Sequence, residues 1–496
     1  MSYDMCSVFL PRNGARTGSR RVTVLRTERD SMGEMQVPAT AYYGAATARA
    51  VENFPISGLR FSRRFIQALG RVKVAAARAN VQLGLLDDHL GPAIEQAALE
   101  VANGRFDAEF VVDVFQTGSG TSTNMNANEV IASRATEILG GQRGDRGRVH
   151  PNDHVNLGQS TNDVFPTAIH VAAMAAVESH TLPALRALAE AFHEKSIELA
   201  EVVKAGRTHL QDAVPMTLGQ ELSGYVSVVR HGVTRIENTR AHLAELAIGG
   251  TAVGTGLNAP PEFAARVVAE LRALTGHLFR RADNAFEALQ NRDACVELSG
   301  ALKTIAVGLM KIANDLRVLT SGPRTGLNEI TLPATQPGSS IMPGKVNPVI
   351  PEAINMVAAH VIGNDTAITI AGLNGNLDLN VMMPVIAHNL LESLELLGNG
   401  ARVLAERCVR GIHANAPQCH AYAERTASLV TAVAPLVGYD AAAKVYAAAL
   451  AADKPIREAI LDAGLVPKEQ LDALLDLKRL TEGGRPATPP RRPKKK

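Results

Sequence analysis

The run Gln336-Pro337-Gly338-Ser339-Ser340-Ile341-Met342-Pro343-Gly344-Lys345-Val346-Asn347-Pro348 carries the residues best suited to chemistry. Two glycines and three prolines bracket a serine pair, one lysine and an asparagine. Proline removes a backbone donor and glycine dissolves local preference, so the segment is expected to be a loop. Its hydroxyls, backbone N–H groups and fixed positive charge suit a small anion, most simply a carboxylate. A purely structural turn would have much the same composition.

Further polar segments interrupt an otherwise apolar pattern. Thr117-Gly118-Ser119-Gly120-Thr121-Ser122-Thr123-Asn124 precedes a helix-like run, Met125 to Leu139. Free N–H groups at a helix start can hold an anion, although many helix starts look like this. His150-Pro151-Asn152-Asp153-His154-Val155-Asn156 and Gln159-Ser160-Thr161-Asn162-Asp163 read, taken singly, as a turn and an N-cap ahead of a long helix. Gly206-Arg207-Thr208-His209-Leu210-Gln211-Asp212 places a histidine in an expected loop. Glu352 follows Lys345 by seven residues and could orient a histidine and raise its basicity. Pooled, these segments offer hydroxyls, amides, an imidazole and an ammonium. Such a set can clamp a dicarboxylate and move protons. It lacks the Walker-type lysine motif and the magnesium-binding carboxylate pair of phosphoryl transfer.

Helices must carry these segments. Leu298, Leu302, Ile305, Leu309, Ile312, Leu316 and Leu319 alternate spacings of four and three, which puts them on one stripe. Leu394, Leu397, Ala401, Leu404 and Cys408 repeat the pattern. Three more long helices are expected: Asn162 to about Ala205, interrupted near Pro183; a segment after Pro215 ending near Gly249-Gly250; and Pro348 to about Ile370. A bundle of near-parallel and antiparallel helices follows. Strand signals are sparse, with a short strand expected at Arg21 to Leu25. The expected division is a disordered extension (1–26), an N-terminal domain (27–158), a central long-helix domain (159–416), a small helical C-terminal domain (417–484) and a basic disordered tail (485–496).

Composition closes off other classes. The 496-residue chain is 46% hydrophobic with net charge +2, which fits a large core and argues against binding nucleic acid by bulk charge. Tryptophan is absent and aromatics make up 4%, too few for base-stacking platforms. No uninterrupted apolar run reaches membrane-spanning length. The cysteines Cys6, Cys295, Cys408 and Cys419 form no C-x-x-C pair and no zinc spacing, so no metal site is expected and a reducing cytoplasm is.

The motifs GSSIMPGKVNP, TGSGT, HPND, GRTHLQDA and GTAVGTGLN occur in an order and at distances that resemble the fumarase/aspartase superfamily, from about Glu28 to Leu477. Their combination most resembles its class II fumarase family. The resemblance implies a mainly α, three-domain subunit, and a homotetramer whose core bundles helices from four chains. It implies active sites built from three subunits, which would also explain seams that look too long and too apolar for one chain to cover. It implies no cofactor and a small dicarboxylate substrate, with reversible hydration of fumarate to (S)-malate in the tricarboxylic acid cycle.

Carried over by position, the family's substrate site falls on Ser119, Gly120, Thr121, Ser160, Thr161, Asn162, Thr208, Ser340, Lys345, Val346 and Asn347. Its acid/base residues fall on Ser339 and His209, with Glu352 as the partner of the histidine. A peripheral carboxylate site falls on His150, Pro151, Asn152 and Asp153. The arginine that usually joins it is replaced by Gly147, between Arg146 and Arg148. Aspartate ammonia-lyases are the nearest alternative. They usually carry Gly-Ala-Gly-Thr, so Ser119, after Thr117, favours the hydratase. Thr161 and the stretch Asn347 to Asn355 lean toward the lyase. A non-catalytic oligomer on the same scaffold is the remote alternative, weighed down by the intact polar set.

Overall fold

In the computed structural model, residues 24–484 are described. The expected strand at Arg21 to Leu25 lies mostly outside them, as do Cys6 and the basic tail; only Leu25 is in the first strand. Leu25–Asp30 (β1) and Gly33–Pro38 (β2) form an antiparallel hairpin. Ala45–Asn53 (α1), Arg63–Gln82 (α2), Leu90–Ala102 (α3) and Thr121–Ile138 (α4) follow. In α2 the run of alanines between Val74 and Asn80 combines high helix propensity with side chains small enough for close packing.

Thr161–Ala176 (α5) starts with a reciprocal cap: the Asn162 N–H donates to the Ser160 hydroxyl at 3.2 Å, and the Ser160 N–H to the Asp163 carboxylate at 3.0 Å. A wide turn at Val177–Thr181 leads into Leu182–Glu198 (α6), with Pro183 in the first turn, where a missing donor is tolerated. The helix expected from Asn162 to Ala205 is therefore two helices, and its end is not helical. Val203–Thr208 (β3) pairs antiparallel with Gln211–Thr217 (β4). The expected loop at Gly206 to Asp212 is the tip of this hairpin. Backbone pairing across β3 and β4 satisfies the polar groups that a continued helix would otherwise bond internally.

Thr217 and Gln220 then form a second reciprocal cap, opening Leu218–Leu243 (α7). The helix stops short of Gly249-Gly250, because Glu245–Leu246 (β5) turns aside to pair with Arg280–Arg281 (β6) beyond Phe263–Thr275 (α8). Ala285–Gln290 (α9) precedes the longest helix, Asp293–Leu319 (α10). Ile330–Thr331 (β7), Val349–Leu373 (α11), the short hairpin of Gly375–Asn376 (β8) and Leu379–Asn380 (β9), and Met383–Arg407 (α12) complete the centre. His413–Ala414 (β10) returns to pair with β7.

The central layer is a bundle. α10 packs between α7 and α11, α12 packs on α11, α6 and α5, and α5 rests on α2. All seven stripe residues of α10, and Leu394, Leu397, Ala401, Leu404 and Cys408 along α12 and its C-cap, are buried within the single chain. This corrects the expectation that those seams need a second chain. Off those stripes, the same helices leave apolar side chains uncovered, Val307 and Val318 on α10 and Met356, Ile370 and Leu373 on α11. By length and composition α11 is apolar enough to cross a membrane. Glu352, His360 and Asp365 interrupt it, and it packs between α10 and α12.

Ala416–Arg425 (α13), Val430–Val437 (α14), Tyr439–Ala451 (α15), Ile456–Asp462 (α16), Lys468–Leu474 (α17) and Leu477–Leu480 (α18) end the described chain. From Ala423 onward these helices bury an apolar cluster of their own, separate from that of the bundle.

Leu309 is 2% exposed on the shared stripe of α10. Leu309→Ala should lower unfolding free energy by about 2–5 kcal/mol through lost burial and a residual cavity. Urea unfolding at fixed protein concentration checks this; a loss under about 1 kcal/mol would show that the stripe relaxes around the gap.

Candidate active site

The Thr117–Asn124 segment is clamped between α5 and the start of α12. Gly120, with φ of 81°, caps α4, and a Cβ there would lie 2.2 Å from the Phe165 ring of α5. A Cβ on Gly118 would lie 1.7 Å from the Val381 carbonyl, while the Gly118 carbonyl accepts the Met383 N–H at 3.0 Å. Only glycine allows these approaches. The backbone so fixed presents the Ser119 and Thr121 hydroxyls 2.9 Å apart at the helix start. Gln116 closes the rear of the turn on Thr123.

Ser160, Thr161 and Asn162 approach this turn from the start of α5. The link is Asn124 of α4, whose amide donates to the Thr161 hydroxyl at 2.8 Å. Asn162 is tied on its other side to the Ala252 carbonyl. Asp163 lies wholly buried beneath. It accepts from the N–H groups of Ser160, Gly249 and Thr251, and so joins the Gly249–Gly256 stretch to the turn. Burial pushes its carboxyl up to about 7, against the pull of those donors. Burial also pulls the Lys73 ammonium of α2 down to about 7. Lys73 donates to Asn156 and Gln159, in the turn that delivers Ser160.

Thr208 and His209 stand at the exposed tip of the β3–β4 hairpin. His209 and Leu210 have φ of 56° and 59°, so the two-residue turn is of the primed type, built without glycine. Each such residue costs on the order of 1–2 kcal/mol. The base of the hairpin holds the strain: Glu329, fully buried, binds Arg207 at 2.8 Å and Lys204 at 3.1 Å, and Lys204 also binds Glu221 at 2.7 Å.

The Gln336–Pro348 segment is a loop, as expected, and joins β7 to α11. It folds back on itself. The Ser339 N–H donates to the Lys345 carbonyl at 3.2 Å, and a Cβ on Gly338 would lie 1.2 Å from that oxygen. The Ser339 hydroxyl accepts from the N–H groups of Ile341 at 3.2 Å and Met342 at 3.1 Å. Ser340, Lys345 and Val346 are exposed, and Ser339 and Asn347 are half-buried. Glu352, half-buried, sits in the first turn of α11.

Within one chain, then, Ser119–Thr121 and Ser160–Asn162 come together. His209 and the serine loop stand apart, and among the described residues no hydrogen bond joins them to that pocket or His209 to Glu352. At the expected peripheral site, His150 caps a single wide turn, Pro151–Val155, its ring nitrogen accepting from the N–H groups of Asn152 and Asp153. His150 and Asn152 line a cavity of about 700 Å³ shared with Arg29, Arg49 and Arg146. Arg146 is engaged by Glu129 at 3.1 Å, and Arg148 turns away to the Leu139 carbonyl. Among the described residues no cluster of three His, Cys, Asp or Glu side chains is placed to hold a metal.

Sequence reasoning missed Lys73, and it gave Asn124, Asn156 and Asp163, which lie in the polar segments it singled out, no role of their own. For Lys73 the available signal was a lone lysine inside the apolar run Val72-Lys73-Val74-Ala75.

Residues 33–363 match the family described as Lyase, and residues 429–482 that described as Fumarase C C-terminus. The chain is 54% identical over 448 residues to the class II fumarate hydratase of Myxococcus xanthus (strain DK1622), covering 90% of this chain and 96% of that one. It is 52% identical over 457 residues to that of Nitrosomonas europaea, covering 92% and 99%. The crystal structure of recombinant class II fumarase from Schistosoma mansoni matches with a TM-score of 0.91 at 42% identity, over 92% of this chain and 99% of that one. Fold and family match together define a lyase of the fumarase/aspartase superfamily. Within it, the chain belongs to the class II fumarate hydratase family.

Gly338→Ala forces the serine loop off the Lys345 carbonyl. A shift of about 1 Å within an active site can lower kcat/KM about 100-fold, and a loss of that size in this variant, with circular dichroism unchanged, is the expected outcome. Near-normal kcat/KM would mean the loop reaches its working geometry without this contact.

Proposed function

We propose that this chain hydrates fumarate reversibly to (S)-malate, without metal or other cofactor, in a homotetramer. The observation that carries the choice of reaction is the Ser119–Thr121 hydroxyl pair, 2.9 Å apart and clamped at a helix start beside Thr161. It offers donors to a substrate carboxylate, and Ser119 occupies the position where ammonia-lyases usually carry alanine. Ser160, Thr161, Asn162 and Thr208 extend that clamp. Ser340, Lys345, Val346 and Asn347 close it from the serine loop.

In the elimination direction a base takes the proton from the carbon beside one carboxylate. That C–H is a weak acid, so the developing aci-carboxylate needs charge aimed at it. Lys345, Asn347 and N–H groups of the serine loop supply it. Ser339 is the proposed base. Support comes from the two backbone donors already directed at its hydroxyl oxygen, which favour the alkoxide. His209, oriented by Glu352 of another subunit, protonates the departing hydroxyl through water. Loop closure over substrate would exclude bulk water.

The tetramer explains why the groups stand apart in one chain. Support comes from the uncovered apolar side chains of α10 and α11, beside the very helix that the serine loop enters. His150, Pro151, Asn152 and Asp153 form a second, peripheral carboxylate site, with Arg146 across the cavity in place of the missing arginine. The three-domain division, with boundaries near 158 and 416, belongs to the same reading.

Fumarate's ultraviolet absorbance decides the reaction. Malate without added metal should generate it and aspartate should not. Signal from aspartate alone assigns the chain to ammonia-lyase chemistry instead. Ser339→Ala should cut kcat by about 10²–10⁴ with little change in KM. Wild-type turnover in that variant removes Ser339 from the base role. Light scattering should give a particle four times the 52.6 kDa chain mass, and Met356→Glu should break it down with loss of activity. An active monomer would refute shared sites.

A further inference from the structure

We propose that Lys73, buried in α2 and remote in sequence from every substrate-binding segment, is a positioning residue that sets the Ser160–Asn162 arm of the site by holding the oxygens of two amides in the turn that leads to it. The inference rests on the dicarboxylate-binding reading of that arm.

Lys73 is 1% exposed, between Val72 and Val74. Its Nζ donates to Asn156 Oδ1 at 3.0 Å and to Gln159 Oε1 at 2.9 Å. An ammonium is donor-only, so both amides must meet it with their oxygens. Their NH₂ ends are thereby assigned. Asn156 Nδ2 reaches the Gln159 carbonyl at 3.1 Å; Gln159 Nε2 reaches the Val155 and Leu157 carbonyls at 3.0 and 3.2 Å. These bonds close the turn that ends at Ser160. Asn156 Oδ1 also receives Asn124 Nδ2 at 3.3 Å and Asn128 Nδ2 at 3.2 Å, and Asn124 Nδ2 holds the Thr161 hydroxyl. One charge thus orients a chain of amides that ends on two substrate-clamp residues.

A structural lysine would need none of this. Burial works against its charged form, which Asp163, on the far side of the same turn, favours. A buried amine is an expensive way to fill space that methionine would fill. Without the ammonium, Asn156 Oδ1 and Gln159 Oε1 lose the donor that ties the turn to α2, and only the bonds of their NH₂ ends to backbone carbonyls remain on that side.

The test is steady-state kinetics of the full-length enzyme on malate, or on aspartate if that is what the wild type turns over. A wild type idle on malate would thus count against the hydratase and not against this inference. Lys73→Met should raise KM at least about tenfold while kcat changes less than about threefold, because the arm binds ground and transition states alike. Lys73→Arg, which restores a donor-only cation, should recover part of the KM. Val74→Ala, equally buried on the same helix, supplies the control for general destabilisation. Unchanged KM in Lys73→Met, or an equal rise in Val74→Ala at matched thermal stability, overturns the proposal. Should Lys73→Met not fold, Gln159→Leu reads the same link from the half-buried turn, and unchanged KM there overturns it too.

Discussion

The contact that everything else leans on is the apolar stripe of α10 against its neighbours. Seven side chains at alternating spacings of four and three are buried between α7, α11 and α12. Helices so packed are close to rigid rods, and each ends in a polar segment. Fixing the rods therefore fixes the loops. α12 begins at the carbonyl of Gly118, α11 begins at the serine loop, and α5 begins at Ser160. A site made of loops could otherwise wander by more than hydrogen bonds tolerate.

Local devices then hold each loop to its rod. The two reciprocal caps at Ser160–Asp163 and Thr217–Gln220 set the entry angles of α5 and α7. Glycines remove the side chains that would block contact, at Gly118 against Val381 and at Gly338 against Lys345. Buried charges do the rest. Glu329 anchors the strained hairpin of His209, and Asp163 gathers three backbone donors beneath the start of α5. Such groups are costly to bury, and they recur where backbone must be held away from its preferred geometry.

The single chain divides its apolar surface in a telling way. The stripes legible by periodicity are the ones it covers itself. The faces it leaves open, on α10 and α11, have no such clean pattern, because α11 is apolar nearly all round. Hydrophobic periodicity finds a helix with one buried face. It is blind to a helix that buries one face in its own chain and offers a second. The same limit explains the hairpin of His209. Val203 to Thr217 has the composition of a helix end and a loop, and only pairing between its two halves makes it strands.

Periodicity was enough to settle the helices α10 and α12, because a repeated spacing of apolar residues admits few other structures. The sequence by itself also determined that the Gln336–Pro348 run is a loop, because proline and glycine forbid regular hydrogen bonding there. It supplied the inventory of hydroxyls, amides, ammonium and imidazole. Tertiary structure alone decided which of these meet. Ser119 and Thr161 are brought together through Asn124, and Lys73 reaches Gln159 across 86 positions of chain. Hydrogen bonds depend on distances of a few tenths of an ångström. Distance across a fold is set by packing, which no spacing along the chain records.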